Sequence, residues 1–98
     1  MIYRNPDLLR VVRLLPCQSC GIEDGTVVAA HSNQLRHGKG RGLKAHDWRI
    51  AALCYRCHMD LDQGSGSREE KTRVWQEAHE NTLHELFIKG LLNVTKNR

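Results

Sequence analysis

The run Cys54-Tyr55-Arg56-Cys57-His58-Met59-Asp60-Leu61-Asp62 decides how the rest of the chain is read. It holds a CxxC pair, then a histidine, then a carboxylate four residues after that histidine. Its counterpart, Pro16-Cys17-Gln18-Ser19-Cys20-Gly21, carries the other CxxC, with 33 residues between Cys20 and Cys54. Cys17, Cys20, Cys54 and Cys57 are the only cysteines, and two such pairs can close a tetrahedral zinc site. A structural Zn²⁺ would matter to a chain of 98 residues, of which 40% are apolar and 5% aromatic, because its core is thin. Two disulfides are the competing use of four cysteines. The N-terminus carries no secretory h-region, so zinc-bound thiolates in a reducing cytoplasm are expected instead.

Working outward, Thr26-Val27-Val28-Ala29-Ala30 is a short β-prone run ending at His31, and Trp48 to Leu53 reads as a second strand. Gly38, Gly40 and Gly42 make the segment between them an irregular loop. A helix starts at Tyr55 and breaks at Gln63-Gly64-Ser65-Gly66. Ser67 and Glu70 form a capping box for a long helix over about 67–89, with Gly90 to end it. Val74, Trp75, Ala78, Leu83, Leu86 and Phe87 give that helix an apolar stripe, with Trp75 and Phe87 expected in the core. The stripe can alternatively serve as a dimer face, so a monomer or a homodimer is expected. Upstream, Asn5-Pro6-Asp7 opens a first helix whose face is Leu8, Leu9, Val12 and Leu15, and Pro16 stops it. Leu91 to Val94 is a closing strand or an extended tail. The whole is one α+β domain spanning 1–98, with a core over about 16–63.

The net charge is +4 and the pI about 9.1, which favours a polyanionic partner. The charge is concentrated between the cysteine pairs, where Arg36, Lys39, Arg41, Lys44 and Arg49 face a single acid, Asp47. Glycines interleaved with Arg36, Lys39, Arg41 and Lys44 suit contact with a phosphate backbone. Such contacts carry no base information, so weak sequence preference is expected. No apolar run is long enough to span a membrane.

The chemistry gathers on three residues. His58 and Asp62, four apart on a helix, share one face and can hold one divalent cation. Cys57 points about 100° away around the same turn, so one helix can serve a structural zinc on one side and a catalytic ion on the other. His31, between an apolar strand and the basic loop, is the candidate general base, because imidazole titrates near neutral pH. His79 and His84 lie on the long helix, where packing or surface roles are expected.

The stretches "PCQSCG", "VVAAHSN", "HGKGRGLKAHD" and "LCYRCHMDLD" resemble the HNH, or ββα-metal, endonuclease family, and its small prophage-type nucleases above all. The resemblance covers about residues 16–63; the flanking helices lie outside it. It implies a zinc-clasped ββα core and hydrolysis of DNA to 3′-hydroxyl and 5′-phosphate ends. His31 would activate water, and His58 would help hold a catalytic Mg²⁺, Mn²⁺ or Zn²⁺. Where many family members place a metal-binding Asp or His, this chain has Ala30, so a further ligand must come from Asp62, Asp47 or His46. The family's middle Asn corresponds to Arg49, and Asp47 or His46 is the replacement for its loop-bracing part. An alternative assignment makes His31 a metal ligand and His37 or His46 the base. The rival function is a zinc-knuckle module that binds DNA without cutting it. A CxxC redox protein is disfavoured, because no thioredoxin-like βαβ pattern surrounds either pair.

Overall fold

A computed structural model of the chain describes residues 1–94. The order is helix α1 (Pro6–Val12), strand β1 (Val28–His31), a 3₁₀ turn (Leu35–His37), strand β2 (Ile50–Leu53), helix α2 (Tyr55–Gln63) and helix α3 (Arg68–Ile88). Three α-helices and a two-stranded antiparallel sheet make this a small α+β fold. The register pairs Val28 with Leu53 and His31 with Ile50. His31 therefore ends β1 opposite the first residue of β2, and α2 leaves from the far end of β2 through Cys54.

Each boundary has a local cause. Asn5 caps α1 by accepting the Leu8 N–H, and Pro6 fills the first helical position, where no amide partner is needed. The Cys54 side chain caps α2 by accepting the Cys57 N–H. Ser67 accepts the Glu70 N–H to open α3. Gly90, at φ 71°, provides the left-handed turn after α3, and the Leu91 and Leu92 amides return to the Leu86 carbonyl. Leu91 to Val94 thus folds back onto the helix end and is not a strand. The second strand is shorter than the reading from Trp48: the Arg49 N–H turns back to the His46 carbonyl, and Trp48 is exposed.

β2 is buried along its whole length, and α3 packs across it. Leu8, Val12, Leu15, Val27, Leu53 and Leu86 fill the core around it. Polar side chains of α3 satisfy two of the strand's remaining backbone groups. Thr82 Oγ1 accepts the Ala52 N–H at 2.9 Å, and His79 Nδ1 meets the Ile50 carbonyl at 2.7 Å. Trp75 Nε1 donates to the Ala30 carbonyl at 3.0 Å while its ring stacks on His79 at 4.8 Å. Phe87, expected in the core, is 51% exposed instead. The positions from Trp75 to Leu86 that face β2 include His79 and Thr82, and this face has rotated past Phe87 by the end of the helix.

Candidate functional site

The four cysteines converge. Their sulfurs all lie within 4.8 Å of one another, and Cys20 and Cys54 are 3.8 Å apart. A tetrahedral ion with Zn–S bonds of about 2.3 Å separates its sulfurs by roughly 3.8 Å, so the cluster fits a structural metal such as zinc. Both CxxC turns are built alike: Cys20 N–H points at Cys17 Sγ and Cys57 N–H at Cys54 Sγ, each at 3.5 Å. The Gln18 N–H bonds the Ala52 carbonyl, which fixes the first turn to β2. Burial opposes ionisation of Cys17, but backbone N–H groups of Cys20, Cys54 and Ser19 outweigh it and bring the thiol down to about 6. Burial together with the neighbouring cysteine sulfurs pushes Cys57 up to about 12. A bound cation would favour the ionised form of each thiol in the cluster.

At the other end of the sheet, His31 Nε2 lies 2.8 Å from Asp47 Oδ1. Asp47 is buried and fully used: the same oxygen accepts from Arg4 Nη1 at 3.1 Å, and Oδ2 accepts the Asn5 N–H at 2.6 Å. Burial works against ionisation of this carboxyl, yet the His31 and Asn5 bonds and the Arg4 charge hold it below the usual carboxylate range. An ionised Asp47 only accepts, so Nε2 is a protonated nitrogen of His31, and in the neutral tautomer this contact selects the lone pair is on Nδ1. Arg4 also donates to the Ala45 carbonyl at 2.6 Å and to the Lys44 carbonyl at 2.9 Å. The segment before α1 thereby braces the loop that carries Asp47.

His31 shares a cleft of about 290 Å³ with His58 and Asp62, the pair on the first and second turns of α2. His58 Nε2 and Asp62 Oδ2 are 3.5 Å apart. Cys57 joins the sulfur cluster while His58 opens on the cleft, so one helix serves both places. Among the described residues, the cysteine cluster is the only group of three or more His, Cys, Asp and Glu side chains close enough to share an ion. Among the described residues, no third such group joins His58 and Asp62.

The remaining expected residues fall elsewhere. His46 is not in the cleft: its Nδ1 accepts the Tyr3 N–H at 3.1 Å and its ring stacks on Trp48, so it locks the loop. Asp47 is likewise no ligand beside Asp62, because its oxygens are spent on His31, Arg4 and Asn5. His37 is buried, with Nδ1 2.7 Å from Ser32 Oγ, which removes it as a base for solvent. Lys39, Arg41 and Lys44 do not line the cleft, and Arg36 lines a neighbouring groove on α3. The basic side chains that do line the cleft are Arg68 and Lys71, from the first turn of α3. Charge counting along the chain passed over both, since they stand among Glu69 and Glu70. Arg4 was missed as well, and no spacing rule connects it to Asp47. Compared with known proteins, no family model matches this chain, and neither a curated protein nor a solved structure matches it.

Proposed function

We propose that the chain is a metal-dependent endonuclease of the ββα-metal (HNH) kind that hydrolyses DNA phosphodiester bonds. The observation that carries this reading is that His31, held from behind by Asp47, lines a cleft together with His58 and Asp62. Asp47 fixes the His31 tautomer and stabilises the imidazolium formed when Nδ1 takes a proton from water. That water attacks phosphorus, and the bond to the 3′-oxygen breaks to leave 3′-hydroxyl and 5′-phosphate ends. A divalent ion held by His58 and Asp62 (Mg²⁺, Mn²⁺ or Zn²⁺) would supply positive charge for the phosphate and the leaving oxygen. The exposed loop with Arg36, Lys39, Arg41 and Lys44 contacts backbone phosphates outside the cleft.

A second reading, a zinc-knuckle module that binds DNA without cutting it, is favoured by Ala30 and by the two-residue ligand set at His58 and Asp62. Plasmid cleavage across a metal series, with His31→Ala as the control, separates the two. Cleavage that needs His31, with two ions per chain, supports the enzyme. A single ion and no cleavage under any metal support the binding module.

A further inference from the structure

We infer that Arg68 anchors a backbone phosphate of the polynucleotide lying in the His31–His58 cleft. The inference rests on the nuclease reading for the identity of the ligand, but its own basis is the part of the cleft that α3 lines. Arg68 and Lys71 are the basic side chains there. Lys71 is partly committed, since its Nζ donates to the Gly64 carbonyl at 2.6 Å. Arg68 is exposed, and among the described residues its guanidinium has neither a hydrogen bond nor an ion pair.

Its place in the helix supports a role outside the helix. Ser67 is the cap, so Arg68 occupies the first helical position. A cation there opposes the positive end of the helix dipole, whereas Glu69 and Glu70 beside it complement that end. Helix stability therefore gives no reason for arginine at 68. A phosphate at the cleft does, because a planar guanidinium can hold two phosphate oxygens at once.

Arg68 and Thr72 also line the adjoining groove, which carries Arg36 and Arg73 together with Glu69 and Glu77. Arg68 thus stands where the two depressions meet. A strand whose scissile phosphate sits between His31 and His58 would place a neighbouring phosphate at Arg68 as it leaves the cleft.

The test is the binding of a fluorescein-labelled DNA duplex, followed by anisotropy over a salt series without added divalent metal, in the full chain carrying His31→Ala. Arg68→Gln is compared with Arg10→Gln, which removes the same charge from α1, where Arg10 is paired with Asp7 and lines neither of the two depressions. Loss of one phosphate contact lowers the slope of log K against log salt by about 0.9. Arg68→Gln is expected to show that decrease and about tenfold weaker binding, and Arg68→Lys is expected to recover the slope. Arg10→Gln should leave the slope unchanged. Equal slopes for Arg68→Gln and Arg10→Gln overturn the anchor, as does a chain that binds no duplex. In the parent chain with His31 intact, Arg68→Gln should raise KM about tenfold with kcat little changed. If the parent cuts nothing, hydrolysis is refuted, and the slope comparison still decides the anchor.

Discussion

At the scale of single residues, the place of His31 at a strand end was legible, and Asp47 was singled out too, but not its contact with that imidazole. A histidine after an apolar strand and before a basic glycine-rich loop is a local pattern. Asp47 stands 16 positions away, and only the antiparallel pairing of His31 with Ile50 brings its loop back beside the imidazole. On the proposed mechanism, replacing His31 with Ala is expected to lower kcat by about 10²–10⁴-fold, the usual share of a general base. Asp47→Asn should come close to that loss, because an amide can donate to Nε2 and so favours the other tautomer. The same variant carries a stability signature. Asp47 is held below the usual carboxylate range in the fold, so its contribution is present above the unfolded value of about 4 and disappears as pH falls through the folded value. The stability–pH curve of Asp47→Asn should therefore be flatter than the parent's below about pH 4. An acid limb as steep as the parent's would show that the carboxylate gains nothing from His31, Asn5 and Arg4.

At the scale of elements, hydrophobic periodicity found α3, and Trp75, Ala78 and Leu86 do face the sheet. It passed over the polar residues of the same face, because His79 and Thr82 count against an apolar stripe. They are buried for a reason that periodicity does not encode: β2 leaves backbone groups unpaired on the side facing α3, and these two side chains satisfy them. Thr82→Val keeps the shape and removes the acceptor for the Ala52 N–H. It should cost about 1–3 kcal/mol in urea unfolding, the penalty of a buried unpaired amide. Burial holds His79 below its ordinary pKa, and His37 likewise, with the Arg49 and Arg36 charges adding to the effect there. Their unfolded forms take up protons first, so stability is expected to fall as pH drops below about 6.5, by at most ~1.4 kcal/mol per histidine for each pH unit. His79→Gln, which keeps a donor for the Ile50 carbonyl, should flatten that fall. An unchanged slope would assign the acid sensitivity to other groups.

At the scale of the whole molecule, the cysteine spacing held more information than the hydrophobic pattern, because it names four positions that must meet in space. The clasp joins the segment after α1 to the start of α2, and both are anchored to β2: Gln18 bonds Ala52, and Cys54 follows Leu53 directly. Structural zinc in small domains binds with about 10–16 kcal/mol of apparent free energy, while a whole domain is stable by only about 5–15 kcal/mol. Loss of the ion should therefore unfold this chain and not merely loosen one turn. Cys54→Ser is the sharper variant, since Cys54 also caps α2 through its bond from the Cys57 N–H. It is expected to purify without stoichiometric zinc and to lose its cooperative thermal transition. Cys20→Ser removes an exposed ligand with no capping duty, so its loss of stability reports the metal alone. Elemental analysis of the parent should give at least one zinc per chain, and chelation should abolish the far-UV thermal transition until zinc is restored. A Cys20→Ser chain that melts like the parent, or a parent whose transition survives complete removal of zinc, would mean that the apolar packing of β2 against α3 is sufficient and that the sulfur cluster does not hold the fold together.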